Sequence, residues 1–403
     1  MGIINKLGNI FKSGSGEPLP DKQREREEAQ IRVQKERSDN FLCALNEGDL
    51  DARWAAVRSV GDLGEPFIGP LIRGLQDEYW IIRRGSADTL GKIGAPAVGP
   101  LILALDEPGD DVRQETIRAL QLIGGPSIGP LIQSTGHSHP LIRCGAVQAL
   151  GIMRESRAVA QLVECLKDPD ARVRQESAVA LGRIGDPGAV SPLIDSLNDT
   201  KENVRIAVMA TLVSLGDQSI GPLIRALVNP NEEVCRRTSL ALGTIGEPAV
   251  DSLIRAITDK NPGIRRGVIE VLGQIGNTKA IAPTIGALDD PERLVRIEAV
   301  KALAALGVPA IAPLMQVFRE GDIRMKSSAM EALWMLGQPA TTPLIMVLRD
   351  DQVDVRKRAV LLLGEIGDQK AVDHITGLLA DDNVAVRREA FEALEMIKKR
   401  NTP

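Results

Sequence analysis

Aromatic residues are scarce in this sequence, which has three Trp, one Tyr and five Phe among 403 residues. A core with so few rings must be built from Leu, Ile, Val and Ala, which suits helices that approach one another closely. A basic excess is also absent, because 49 Lys and Arg face 54 Asp and Glu, for a net charge of −5. Proteins that bind nucleic acid usually carry clustered positive charge, so the composition argues against DNA or RNA as a partner.

Cysteines and long apolar runs are scarce as well. The four cysteines, Cys43, Cys144, Cys165 and Cys235, lie far apart and form no CxxC pair. We therefore predict free thiols in a reducing compartment, rather than disulfides or a zinc site. No apolar run approaches the roughly 18 residues that cross a membrane, and the opening segment does not resemble a secretory signal. These absences predict a cytoplasmic protein.

What the sequence has instead is a repeat of the form D-x₅-R-x₂-A-x₃-L-x₂-[LI]-G, which returns every 30 or 31 residues. Such a period indicates a stacked array of helical units rather than a globular enzyme core. Arrays of this kind usually offer a long surface to a partner. We number the repeats 1 to 12 by the residue in the arginine position: Arg53, Arg83, Arg113, Arg143, Arg174, Arg205, Cys235, Arg265, Arg296, Lys326, Arg356 and Arg387.

Repeat 9 shows how one unit is built. Its apolar residues recur at three- and four-residue steps, as in one face of a helix: Val295, Ala299, Leu303 and Leu306. Gly307 follows, where a helix commonly ends in a left-handed residue, and a proline-containing turn then leads into a second, shorter amphipathic helix. Two antiparallel helices per repeat predict an all-α fold, a right-handed α-solenoid (superhelix) of about twelve helical hairpins.

A carboxylate lies six residues before the arginine position in ten of the twelve repeats. We predict that the carboxylates and arginines form a structural ladder of charge-assisted hydrogen bonds, and that the carboxylates also cap the helix that follows. In repeat 7 both members are replaced together, by Asn229 and Cys235, which favours a dependence of each on the other. The predicted ladder residues are Asp77, Arg83, Asp168, Arg174, Asp199, Arg205, Asp259, Arg265, Asp290, Arg296, Asp350, Arg356, Asp381 and Arg387.

The segment from Val173 to Pro187 resembles the phycobilisome-lyase-like class of HEAT repeats, V-R-x-x-A-x-x-A-L-G-x-I-G-D-P, and so do Ile264 to Gly276 and Val355 to Asp368. The resemblance extends over about residues 41–400. It implies the HEAT solenoid fold. For function it implies several alternatives, since the class includes bilin lyase subunits and deoxyhypusine hydroxylase.

The histidines test one of these enzymatic alternatives. The hydroxylase resembles this fold but holds its two iron ions with His-Glu pairs, and none of His137, His139 and His374 is followed by Glu. A metal site at His137, His139 and Cys144 is a weaker interpretation than His137 simply filling the acidic position of repeat 4. We therefore predict no catalytic, cofactor-binding or metal-binding residue and a non-enzymatic protein, while a bilin-lyase-like activity remains an alternative.

A partner groove is predicted on the concave face, which the second helix of each hairpin lines in repeats of this class. Positions one and five after the arginine should point there. Position five is apolar in repeats 5 to 7, where most other repeats have a polar residue, and position one is apolar in repeat 6. An apolar strip flanked by charge suits a bound peptide or helix, although packing against a neighbouring helix is an alternative. The predicted groove residues are Val179, Ile206, Ala210 and Leu240, beside a basic cluster of Arg236, Arg237 and Arg266.

The amino-terminal residues form separate segments. Residues 1–12 predict a short amphipathic helix, residues 13–20 a flexible linker, residues 21–40 a charged helical lead-in, and residues 41–403 the repeat array. The short helix places its lysines, Lys6 and Lys12, away from an apolar face, so it is predicted to contact a membrane surface, a partner or the array itself.

The sequence thus predicts a monomeric scaffold or adaptor that binds a protein partner along the concave face. Two alternatives remain. One is an accessory or lyase-like factor that modifies another protein. The other is an adaptor held peripherally at the inner membrane face by residues 1–12.

Overall fold

The computed structural model describes residues 21–60 and 64–400. Every element in these two ranges is a helix or a turn, and neither range contains a strand. The predicted amphipathic helix 1–12 and linker 13–20 lie outside the described residues. The charged lead-in is helical, but the helix Asp21–Glu47 continues past residue 40 and also serves as the first helix of repeat 1.

One long helix occurs in each repeat, and the arginine position is always its fourth residue. One face of this helix is apolar and buried in the core, as Val295, Ala299 and Leu303 are in repeat 9. The long helices are Leu50–Ser59, Trp80–Ile93, Asp110–Ile123, Pro140–Ile152, Ala171–Ile184, Glu202–Ser214, Glu232–Ile245, Pro262–Ile275, Arg293–Leu306, Ile323–Leu336, Val353–Ile366 and Val384–Arg400.

A short helix precedes each long helix from repeat 2 onward. These are Ile68–Gly74, Val98–Ala104, Gly125–Ser134, Val159–Cys165, Val190–Asp195, Asp217–Ala226, Glu247–Ala256, Ile281–Gly286, Ile311–Glu320, Thr341–Met346 and Val372–Gly377. Single 3₁₀ turns flank many of them: Glu65–Phe67, Ala95–Ala97, Ser156–Ala158, Pro187–Ala189, Ser196–Asn198, Thr278–Ala280, Ala287–Asp289, Val308–Ala310, Gln338–Ala340, Val347–Arg349, Gln369–Ala371 and Leu378–Ala380.

Most long helices end at a glycine with positive φ, such as Gly185 at φ 76° and Gly276 at φ 73°. This conformation costs glycine little, because it has no Cβ. Repeat 4 carries Arg154 at the same place, and Arg154 adopts φ 52°, the only positive φ of a non-glycine residue in the described ranges. The turn geometry is therefore imposed by the repeat even where the residue does not favour it.

The chain forms two compact units, Met1–Ala158 and Val159–Pro403. Within each unit, long helices pack on the long helices of adjacent repeats and short helices pack on short ones. The core between the two layers is aliphatic, with Leu71, Leu101 and Leu181 fully buried. Each unit is therefore a stack of helical hairpins, which confirms the predicted all-α solenoid architecture.

No single helix in the described part of the chain has the length and apolarity to cross a membrane. One pair of helices joined at a bend of 119° has the length and composition of a membrane span: Arg293–Leu306 with Val308–Glu320. Leu303, Leu314 and Phe318 of this pair are fully buried in the array, as expected of core helices.

Candidate functional site

The arginine at the fourth position of a long helix joins two consecutive repeats. In repeat 5, Nε and Nη2 of Arg174 donate to the two carboxylate oxygens of Asp199 in repeat 6, at 2.6 and 2.9 Å. Its Nη1 donates to the main-chain carbonyl of Asp168 in its own repeat, at 2.8 Å. Because the two parallel bonds match the geometry of guanidinium and carboxylate, this is a strong form of ion pair.

The same arrangement occurs twice more. Arg265 binds both carboxylate oxygens of Asp290 at 2.7 and 2.8 Å, and Arg356 binds those of Asp381 at 2.9 Å each. The four side chains are 8 to 13% exposed. The hydrogen bond from Arg356 lowers the pKa of Asp381, against the opposing effect of burial.

The structure corrects the predicted pairing within one repeat. In repeat 8, the main-chain carbonyl of Asp259, and not its carboxylate, accepts from Arg265 at 2.9 Å. The carbonyl is within reach because it precedes the helix that carries the arginine, whereas the carboxylate accepts from the main-chain N–H of Asn261 at 2.8 Å. The six other predicted pairs also bond through the carbonyl, at 2.6 to 2.9 Å: Arg83 with Asp77, Arg174 with Asp168, Arg205 with Asp199, Arg296 with Asp290, Arg356 with Asp350 and Arg387 with Asp381.

The predicted helix caps are corrected as well. Asp199 accepts from the main-chain N–H of Lys201, which closes the turn before the helix Glu202–Ser214. Where a side chain caps a long helix it is a different residue, such as Asp170 in repeat 5 or Asn261 in repeat 8. The ladder carboxylates thus stabilise the turn and the joint between repeats.

Repeat 7 interrupts this ladder on both sides. Asn229 stands where a carboxylate would face Arg205 of repeat 6, and the buried Nε of Arg205 has no hydrogen-bond partner. Cys235 replaces the arginine that would face Asp259 of repeat 8, and its thiol donates to the Asn229 carbonyl at 3.1 Å. Asn229 and Cys235 therefore do not replace one pair, as predicted, but one partner in each of two consecutive joints.

His137 occupies the acidic position of repeat 4. Its Nδ1 accepts from the main-chain N–H of His139 at 3.1 Å, as an aspartate does in other repeats, and its carbonyl accepts from Arg143 at 2.9 Å. The Nδ1 atom of His139 lies 3.3 Å from Oδ2 of Asp106. Within residues 21–60 and 64–400, no three side chains of His, Cys, Asp or Glu are grouped as metal ligands.

The predicted groove residues lie on three adjacent long helices of the second unit. Ile206 and Leu240 are 61% and 49% exposed, Ala210 is also exposed, and Val179 is half-buried. The first two of these helices are fixed together by a hydrogen bond of 2.6 Å from Asn203 to Gln175. Ile206 and Leu240 are thus exposed apolar side chains on the second and third of these helices, and half-buried Val179 belongs partly to the packing between helices.

The predicted basic cluster is not a set of free positive charges. Arg236 and Arg237 both bond to Glu233 on their own helix, and their hydrogen bonds lower the pKa of Glu233 to about 2. Arg236 is 64% exposed and Arg237 only 16%. Glu233 is not among the predicted residues, because the prediction used only positions one and five after the arginine. Its spacing of three and four residues from Arg236 and Arg237 is nevertheless typical of ion pairs on one helix.

A mixed-charge network continues from this cluster onto the next two helices. Arg266 is exposed and faces Glu270, whose pKa is raised by burial and by Glu298, against the attraction of Arg266 and Lys301. The Nζ atom of Lys301 also lies 3.5 Å from Oε2 of Glu298. This group of four charged residues lies outside the ladder positions. Acids and bases balance within it, as in a structural network.

An exposed tryptophan was also missed. Trp334 is 49% exposed and lines a depression with Met330, Glu331, Leu362 and Glu365, between the long helices of repeats 10 and 11. It lies eight residues after the arginine position, where repeats 2, 5, 8 and 11 have a glycine against which the next helix packs. A large side chain at that position is the sequence signal for this depression.

A family model described as HEAT repeats matches almost the whole chain. The matched segments are residues 39–121, 98–180, 161–241, 220–293, 281–360 and 341–402. No curated protein matches the sequence.

Several solved structures resemble the chain in part. An engineered protein is 19% identical over 82% of this chain and 98% of its own, with a TM-score of 0.29. Human deoxyhypusine hydroxylase in complex with glycerol is 24% identical over 60% of this chain and 96% of its own, with a TM-score of 0.26. Importin beta is 13% identical over 95% and 67%, with a TM-score of 0.34. With TM-scores this low, none of the three indicates a function for this chain.

Proposed function

The chain belongs to the HEAT-repeat family, and from this premise we propose that it is a non-enzymatic scaffold or adaptor that binds a protein partner on its long helices. The observation that supports this proposal is the exposed apolar pair Ile206 and Leu240 in repeats 6 and 7. Exposed apolar groups at adjacent positions of a repeat surface, bordered by charge, suit an amphipathic helix or peptide.

The charged border would orient the partner. Glu233 holds Arg236 through two hydrogen bonds while the Arg236 side chain stays 64% exposed, and Arg266 lies exposed on the next long helix. Acidic side chains next to the apolar residues of the partner would find these arginines already positioned, which reduces the side-chain entropy lost on binding.

The non-enzymatic role rests on the same surface. Its charged groups are bonded to one another, as Arg236 is to Glu233 and Lys301 is to Glu298. A reaction site would instead direct such groups at a common point where a substrate lies. We therefore prefer the scaffold role to a bilin-lyase-like activity, because the charged groups of this surface are bonded to one another.

The repeat class, the oligomeric state and the compartment are also proposals. We assign the repeats to the phycobilisome-lyase-like class because of the segment Val173 to Pro187, and we propose a monomer in the cytoplasm, a reducing compartment that suits four cysteines spaced far apart in the sequence with no CxxC pair. Attachment of residues 1–12 to a membrane surface remains the alternative to binding in solution.

The experiment compares affinity capture from native lysate by the wild type, by Leu240→Glu and by a chain lacking residues 1–16. We expect a protein captured by the wild type to be lost with Leu240→Glu, because a charge buried in an apolar contact is costly. The matched control is Leu103→Glu, which places the same charge on an exposed leucine (58%) of a short helix.

Equal capture of the same proteins by Leu240→Glu and Leu103→Glu would refute the groove. Loss of all captured material with the truncation alone, together with recovery of lipid, would move the binding function to residues 1–12. Circular dichroism of each variant checks that helicity is retained.

A further inference from the structure

A second apolar surface lies at the amino-terminal ends of the last four long helices. Ile323, Val353 and Val384 are the first residues of their helices and are 72%, 37% and 69% exposed, and Leu294, the second residue of its helix, is 60% exposed. Met346, near the end of a short helix that leads into the same edge, is 75% exposed. We call this set the apolar edge.

The folding of the helices does not account for these residues. The first turn of a helix favours acidic or small polar side chains, which interact with its unpaired N–H groups. Repeats 3, 6 and 7 follow that preference with Asp110, Glu202 and Glu232 as first residues. In repeats 10 and 12 the residue before the helix, Asp322 or Asn383, accepts from a first-turn N–H instead. The β-branched side chains at the first position of repeats 10 to 12 make no such interaction and are exposed.

Bonds between repeats keep this edge continuous. Arg324 bonds to Asp289 across repeats 10 and 9 at 3.1 Å, and Arg319 bonds to Asp350 across repeats 10 and 11 at 2.8 Å. Arg356 bonds to Asp381 across repeats 11 and 12. The first turns of the four helices are thus held side by side, within the second unit.

The edge is also acidic. An exposed carboxylate precedes each apolar residue by one or two positions: Glu292, Asp322, Asp351 and Asp382. The structure shows no ion pair for these four carboxylates. Of the exposed arginines on the same turns, Arg319 and Arg324 are already paired, which leaves Arg293 and Arg349.

We propose that the apolar edge is a docking surface for a basic amphipathic helix of a partner protein. Its apolar face would cover Leu294, Ile323, Val353 and Val384, and its lysines or arginines would meet the flanking carboxylates. An anionic membrane does not suit this surface, because the carboxylates would be repelled by lipid headgroups of the same sign. The proposal goes beyond the groove of repeats 5 to 7 and does not depend on it.

The test uses the full chain and a synthetic peptide of about 18 residues, long enough to be helical, with leucine on one face and lysine on the other. Binding is followed by fluorescence anisotropy of the labelled peptide. We expect the double variant Ile323→Asp/Val384→Asp to weaken binding about tenfold or more, and Leu240→Glu to leave it unchanged. The matched control is Leu103→Asp/Leu122→Asp, at leucines that are 58% and 50% exposed.

Four outcomes would overturn the proposal. One is equal binding of the lysine peptide by the edge variant and by the control variant. Another is equal binding of a peptide that has glutamate in place of lysine. The third is cosedimentation of the wild type with phosphatidylserine vesicles that the edge variant loses, which would assign the edge to a membrane. Loss of binding with Leu240→Glu alone would assign the peptide to the groove.

Discussion

Three arginines of the ladder, Arg174, Arg265 and Arg356, are bound on two sides, and each side has a different function. The bond to the carbonyl of its own repeat fixes the turn in front of the helix, and the bidentate bond to the next repeat fixes the joint. Since the side chains are mostly buried, the joint interaction is less screened by water than a surface ion pair. The ladder therefore contributes more to stacking than to any single helix.

Asp381→Asn isolates the joint interaction in repeat 12. Asparagine keeps the bond that closes the turn, as Asn229 does with the N–H of Asn231 at 2.9 Å, but it removes the charge that Arg356 binds. We expect a loss of about 1–3 kcal/mol, measured by urea unfolding at pH 7. The control Glu392→Gln breaks an exposed pair with Arg388 in the same repeat and should cost at most about 1 kcal/mol.

The same variant has a predictable pH dependence. Arg356 lowers the pKa of Asp381 in the folded protein, so the folded state binds its proton less readily than the unfolded chain. The contribution is complete above the unfolded pKa of about 3.9 and is lost as the pH falls through the lower folded value. The stabilities of wild type and Asp381→Asn should converge in acid, and a constant difference would contradict an ionic origin.

At the residue scale the sequence predicted which residues form the ladder but not which of them pair. Asp259 and Arg265 are six residues apart, so their proximity along the chain favours a pair between them. The carboxylate that Arg265 actually binds is that of Asp290, which lies 25 residues away. That partner is brought near only by the stacking of repeats. Glu233 was overlooked for a different reason, since its spacing from Arg236 was visible in the sequence.

At the scale of the helix, a glycine permits close approach of neighbouring long helices in repeats 2, 5, 8 and 11, whereas Gly243 at the same position of repeat 7 has no atom of the next helix as near. Gly91, Gly182, Gly273 and Gly364 lie eight residues after the arginine position, and the four long-helix pairs they belong to are the most closely packed. Trp334 at the same position leaves a depression between its helix and the next. Helix starts and ends were predictable from the period, because glycine and the fourth-position arginine mark them.

Gly273→Ala should loosen the joint between repeats 8 and 9. A Cβ at this position would lie 2.9 Å from the Cα of Ala302 in the main chain of the next long helix, so the two helices must separate. We expect a loss of about 1–3 kcal/mol, as for an overpacked core, measured by chemical denaturation.

The matched control is Gly221→Ala, in the helix Asp217–Ala226, where the nearest atom to a Cβ is 3.8 Å away. This change should stabilise the protein by about 0.5–1 kcal/mol, because alanine favours the helix. If both substitutions stabilise, close approach of the backbones is not what the glycine provides.

At the scale of the molecule, each repeat contacts its neighbours and little else within its own unit, because among the described residues the helices of one layer pack mainly on adjacent ones. Stability of a unit is then a sum of repeat and joint terms. Repeat 7 lacks a ladder bond at both of its joints and lies at one end of the candidate groove. The period predicted the stacking, whereas the groove and the apolar edge depend on residues that depart from the period, and their partner is not encoded in it.

Leu303→Ala tests whether the array responds locally. Leu303 is fully buried in repeat 9, and its truncation should cost about 2–5 kcal/mol through lost contacts and a residual cavity. The loss of hydrogen-exchange protection should be largest in the helix Arg293–Leu306 and its neighbours and small in Ala171–Ile184, four repeats away. Leu294→Ala, at the exposed face of the same helix, should change stability by less than about 0.5 kcal/mol. An equal loss of protection from repeat 5 to repeat 12 would mean that the second unit unfolds as one block, and that joints such as those of repeat 7 do not act independently.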